Sequence, residues 1–226
     1  MYKRGSPSWR FGHGDMGYLR SALLVRDAAG LPVDAGGDIP PRLAENVPDY
    51  QDLLAPGDRR TAGQQWVFWW RRLVGQAARE ARQKWTAPPS DDFESVIRHR
   101  FAGRKEVFDP PDFASLTDME PLRSVVRAVL GMPPGRSDSR RRGPDRRIFD
   151  FELVRHMAER TAVDFGVPVS DLTGYAHVIE VDGLWWYLAG PGCVLCSAEA
   201  ASDLSAAADV LHEAFTSGLS PDETRS

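Results

Sequence analysis

Apolar positions recur along the chain at helical spacing in its middle and gather into β-rich runs near its end. From Pro56 to Trp85, at about 100° per residue, Trp66, Trp69, Trp70, Leu73, Val74, Ala77, Ala81 and Trp85 fall in one arc, and Arg71, Arg72, Arg79 and Arg82 fill the opposite one. The pattern predicts an anchor helix for the core, opened by Pro56-Gly57-Asp58 and closed before Pro88-Pro89. Asp91-Asp92-Phe93-Glu94 reads as a capping box, in which a side-chain oxygen and a following glutamate satisfy each other's backbone amides, and predicts a helix over 92–104. Thr117-Asp118-Met119-Glu120 repeats the device ahead of Met119, Leu122, Val125, Val126, Val129 and Leu130, with Gly131 placed as a left-handed cap. A further helix runs from Asp150 to Phe165 with Phe151, Val154, Ala158, Ala162 and Phe165 as its buried stripe, and stops at Gly166.

Tyr175–Ala189 carries the clearest strand signal: two β-rich runs joined by Asp182-Gly183, a dipeptide favoured in tight hairpins because both positions take positive φ. That turn would set Ile179 against Trp186 and His177 against Leu188, leaving His177, Ile179, Val181, Leu184, Trp186 and Leu188 on one face. Cys193–Ser197 supplies a third strand, and a last helix over 202–215 covers the apolar face with Leu204, Ala207, Ala208, Leu211 and Phe215. The fold class is therefore α+β: a mainly helical N-terminal part packed with a C-terminal unit of helix, antiparallel hairpin or three-stranded meander, and helix. Residues 1–57 read as an irregular wrap with short helical pieces at 18–28 and 50–54. Residues 58–131 read as the helical part, 132–147 as a basic linker or exposed loop, and 148–226 as the acidic α+β part, with 58–226 able to share one core.

Composition adds little to this and charge adds more. With 42% hydrophobic and 27% charged residues, 226 residues suit a globular chain and exclude a collagenous, disulfide-scaffold or wholly disordered one. Residues 148–226 carry 3 Arg against 13 acidic residues, a net of −10, and the total of −4 leaves +6 on residues 1–147. The molecule should be electrically two-sided. Residues 1–9 are polar and Pro-bearing, so no targeting segment is expected. The longest near-apolar run, Leu184–Cys196, falls short of the roughly 20 residues a membrane helix needs. The expected location is cytoplasmic, with no membrane partner.

No motif here has a spacing that fixes a chemistry. Cys193-Val194-Leu195-Cys196 has the C-x-x-C form of a zinc grip or a redox dithiol, with His177 as a third ligand about 10 Å away across a meander, two strand spacings. Against zinc stands the lack of a fourth ligand, and against a thioredoxin-like sheet the short chain remaining after Cys196. Two small thiols packed in a core are the plainer reading, and no cofactor is predicted beyond this zinc alternative. His177-x-x-Glu180 followed by Pro191-Gly192-Cys193-x-x-Cys196 approaches the zinc-deaminase signature by letter. It has the wrong histidine-to-glutamate spacing, and strand residues three apart point to opposite faces.

Gly12-His13-Gly14-Asp15-Met16-Gly17 matches G-x-G-x-x-G, which binds a pyrophosphate only where a strand delivers it to a helix N-terminus. Ser6–Phe11 reads as too short and polar for that strand. Arg136, Arg140, Arg141, Arg142, Arg146 and Arg147 crowd a stretch suited to phosphate contacts or to a solvated linker. Phe68, flanked by Arg71 and Arg72 on the helix opposite its tryptophans, suits a protein interface with an aromatic anchor, base stacking, or packing within the chain. The Arg face has an internal partner on offer in the acidic C-terminal part. The leading expectation is a non-catalytic protein-binding or adaptor module acting through Phe68, Arg71, Arg72, Arg79 and Arg82 or through the hairpin edge, with a protein partner or a second copy bound. A metalloprotein or thiol enzyme built on Cys193 and Cys196 is the alternative from another class. Nucleic-acid binding through Arg140, Arg141, Arg142, Arg146 and Arg147 is the third.

Overall fold

The computed structural model describes residues 8–86, 103–132 and 148–219. Four strands, β1 (Arg10–Gly14), β2 (Thr173–Ile179), β3 (Trp186–Gly190) and β4 (Cys193–Ser197), form one open sheet in the order β1-β2-β4-β3. β1 pairs with β2 and β2 with β4 in parallel, and β3 pairs with β4 antiparallel. Helices cover both faces. On one lie α1 (Gly17–Ala28), α2 (Pro56–Thr86) and α3 (Glu120–Gly131). On the other lie α4 (Phe151–Phe165), α5 (Ala198–Ser202) and α6 (Leu204–Gly218). The protein is thus an α+β fold, with its long helices mostly N-terminal and its strands mostly C-terminal. Among the described residues no helix is long and apolar enough to cross a membrane.

The expected Asp182-Gly183 hairpin is not formed. Gly183 takes φ 73°, but Asp182 N donates to Arg42 O and Val181 bridges Leu43, so this loop is tied to the segment after α1. β3 turns back instead through Gly190-Pro191-Gly192, with Gly192 at φ 70°, and β4 enters between β2 and β3. His177 consequently lies opposite Leu195, not Leu188, and Ile179 opposite Ser197, not Trp186. The physical reason is burial. Every residue of β4 is buried while every residue of β3 is only half-buried, and a strand covered on both faces reads as an unbroken apolar run such as Cys-Val-Leu-Cys. β1 is a second correction: a strand does stand at Arg10–Gly14, at the sheet edge, where a short polar sequence suffices.

The anchor helix forms as its pattern dictates. Trp66, Trp69, Trp70, Leu73, Val74, Ala77 and Ala81 are buried, and the three indole N–H groups donate to Ala22 O, Val107 O and Asp38 O. Asp150 caps α4 by accepting from Glu152 N, and Gly166 closes it at φ 65°. Other local expectations change. No side chain caps α3, because the Thr117 hydroxyl donates to Ala114 O, and Gly131 stays helical while extended Met132 ends the helix. Phe151, Phe165 and Leu204 are exposed, the first against the Trp9 ring, because Met157 and Thr161 on α4 and Val210 on α6 face inward in their place. The capping box at 91–94 and the basic segment at 133–147 lie outside the described residues, although 103–105 are helical.

Candidate functional site

Parallel strands end together, and the space beyond their carboxyl ends is where such sheets receive ligands. Here β1 and β2 end at Gly14 and Ile179 beside a cleft of about 270 Å³ lined by His13, Asp15, Met16, Arg20, Leu43, Ile148, Val178, Ile179 and Glu180 among others. The chain passes from β1 through Asp15 into α1, whose first turn has no side-chain cap and no acidic residue. Arg20 pairs with Glu45, whereas Asp15 and Glu180 form no ion pair among the described residues. Burial first, and then the Lys84 charge, lower the His13 pKa, so its ring is neutral at pH 7. Two carboxylates without an ion pair among the described residues and a neutral imidazole stand above an apolar floor.

The strand-to-helix context of Gly12-x-Gly14-x-x-Gly17 is therefore present, yet the first two glycines serve packing. A Cβ on Gly12 would lie 3.0 Å from the Tyr175 ring, and one on Gly14 would lie 2.9 Å from its hydroxyl. These glycines let Tyr175 lie across β1, with Lys84 Nζ 4.6 Å from its ring centroid. The backbone that a pyrophosphate would need to approach is covered on that face.

Behind the cleft wall lies a polar cluster whose Gln76, Glu80 and His177 are buried and whose arginines reach the surface. Arg104 Nη2 contacts Glu80 Oε2 at 2.7 Å, Gln76 Nε2 donates to Glu80 Oε1 at 3.1 Å, and Arg79 donates to Gln76 Oε1 at 2.9 Å. The Arg104 guanidinium stacks over Tyr18, and its Nη2 lies 3.9 Å from the Met16 sulfur that lines the cleft. His177, fully buried, donates from Nε2 to Ala77 O at 3.2 Å, since a carbonyl only accepts. Burial pushes the His177 pKa down to about 4 and pushes the Tyr18 phenol up, with the Glu80 charge adding to the latter. Gln76, Glu80 and Lys84 did carry a signal in sequence. They step at four-residue spacing, and Glu80 and Lys84 interrupt the tryptophan arc itself.

The residues singled out from sequence are dispersed. Cys193 and Cys196 are buried free thiols on opposite faces of β4, each with its pKa raised to about 12 by burial, so from this strand they cannot close on one ion. His177 sits one strand from Cys193 instead of two, yet among the described residues no three His, Cys, Asp or Glu side chains gather for a metal. Phe68 is 57% exposed, with Arg71, Arg79 and Arg82 exposed on the same helix. Two members of the Arg face, Arg71 and Arg72, dock within the chain on segments that precede the acidic C-terminal part. Arg71 pairs with Asp38 at 2.7 Å, and Arg72 donates to Glu106 O at 2.8 Å and to Ser115 O at 3.3 Å. Arg136, Arg140, Arg141, Arg142, Arg146 and Arg147 fall outside the described residues. Comparison with protein-family models, with curated proteins and with solved structures finds no match.

Proposed function

We propose that the protein is a binding protein whose cleft at the ends of β1 and β2 takes a small organic amine. The observation that carries this reading is the pair of carboxylates, Asp15 and Glu180, that have no ion pair among the described residues and stand over the apolar floor of Met16, Leu43, Ile148, Val178 and Ile179. An ammonium group would meet the carboxylates while the body of the ligand covers the floor. The neutral His13 ring adds an acceptor and no opposing charge. The test is calorimetric titration of the purified protein with a series of alkyl and aryl amines. Saturable binding of at least one amine is expected, weakened about tenfold or more by Glu180→Gln and by Asp15→Asn, since each removes a charged partner of order 1.5–3 kcal/mol. Failure of every amine to bind, or equal binding by the double variant, removes the reading.

A second reading, a protein-binding or adaptor module, is favoured by Phe68. An aromatic ring 57% exposed beside arginines that Asp38, Glu106 and Ser115 hold in place is a pre-ordered anchor of the kind found at interfaces.

A further inference from the structure

The cleft at the ends of β1 and β2 carries charge of both signs. Asp15 and Glu180 line it, and so does Arg20 from the start of α1. Helical side chains lean toward the helix N-terminus, which brings the Arg20 guanidinium over the point where β1 passes into α1. Neither carboxylate pairs with it. Its ion-pair partner among the described residues is Glu45, which accepts from Nη2. Glu45 is itself fixed beside the cleft, because Ala44 N donates to Glu180 O at 3.1 Å and Leu43 bridges Val181. A guanidinium has five N–H donors, and among the described residues Glu45 engages one nitrogen of Arg20. Nε and Nη1 are left for a second acceptor, in the planar geometry that fits a carboxylate.

The class of ligand follows from these charges. A simple amine engages the two carboxylates and leaves the Arg20 donors unused. A simple anion engages Arg20 but faces two negative charges in a space of about 270 Å³. A molecule with both signs engages all three side chains, and its apolar frame covers the floor between them. We propose that the ligand of the cleft is an amino acid, its ammonium group held by Asp15 and Glu180 and its carboxylate by Arg20. This rests on the reading of the cleft as an amine site and narrows it.

The test is calorimetric titration of the whole chain with pairs that differ only in the carboxylate: leucine and isopentylamine, phenylalanine and phenethylamine, ε-aminocaproate and pentylamine. In at least one pair the amino acid is expected to bind about tenfold or more tighter than its amine. Glu45→Gln should keep that preference, because it frees Arg20. Arg20→Met combined with Glu45→Gln should abolish it and leave amine binding as in the parent, since the two changes cancel in net charge. The Arg20–Glu45 pair is partly exposed, and such pairs contribute little to stability, so both variants fold. Amino acids that bind no tighter than their amines, or a preference that survives the double variant, would overturn the inference and leave the amine reading standing. Failure of every amine and every amino acid to bind removes both.

Discussion

The face of the sheet under α2 buries Trp66, Trp69, Trp70, Gln76, Glu80 and His177, whereas the face under α6 buries Ala176, Val178, Val194, Cys196, Ala207, Val210, Leu211, Ala214 and Phe215. The second set is held by area alone, and many sequences of similar volume would serve. The first must also satisfy directional groups. The indole N–H groups of Trp66, Trp69 and Trp70 each find a carbonyl from a different segment, and Glu80 needs both Gln76 and Arg104. Buried polar networks are costly when incomplete, so this face admits fewer arrangements and fixes α1, α2 and the strand ends relative to one another. The cleft lies at those strand ends. Position, not stability, is what the polar face contributes.

If that contrast is sound, acid should act first through His177. Burial, reinforced by Lys84 and opposed by the Ala77 carbonyl, Glu80 and Asp15, holds its pKa near about 4, against 6.5 in an unfolded chain. Between these values the unfolded chain binds a proton that the folded one does not. The folded state therefore loses stability as pH falls from about 6.5 to about 4 and is indifferent to this group outside that window. The loss across the window is about 3 kcal/mol. His177→Gln keeps an amide donor for Ala77 O without a titration, so urea unfolding at pH 7 and pH 4.5 should differ less for the variant than for the parent. An equal pH dependence in the two proteins would mean that the buried imidazole does not set the acid sensitivity.

The cysteines sharpen the same contrast with a smaller effect. Cys196→Ser places a hydroxyl among the apolar side chains under α6 and should cost about 1–3 kcal/mol. Cys193→Ser, on the face that holds Tyr18 and Glu80, should cost less than about 1 kcal/mol, because a hydroxyl there has polar neighbours. Urea midpoints of the two variants decide the order, and the reverse order would show that the faces are not chemically distinct. In the parent both thiols, with pKa raised to about 12, should label slowly until the protein unfolds.

What was legible in the chain follows the same division. Local rules placed α2, the tryptophans it buries, the start of α4 near Asp150 and the Gly166 stop, because helix periodicity and helix-ending residues act through near neighbours. The sheet order was not legible from Asp182-Gly183, since a turn dipeptide competes with long-range pairing, here to Arg42 and Leu43. Better guides stood in the sequence: the unbroken Cys-Val-Leu-Cys run marks a strand buried on both faces, and Glu80 amid an apolar arc marks a polar interior. The cleft joins residues as far apart as His13 and Glu180, and no local pattern foretells such a meeting.

Outside both cores, Phe68 should matter least to stability. Its ring is 57% exposed and stands on the outer side of a helix whose inner side is closed by tryptophans. Removal sacrifices little buried area, and Ala is the better helix former, so Phe68→Ala should shift the unfolding free energy by less than about 0.5 kcal/mol. A loss above about 1 kcal/mol in urea unfolding would mean that the ring is packed in solution and not free. A neutral result has the more interesting consequence. A large aromatic residue that the fold does not need, set among arginines the fold does hold in place, is then available to a partner at no cost to the protein's own stability.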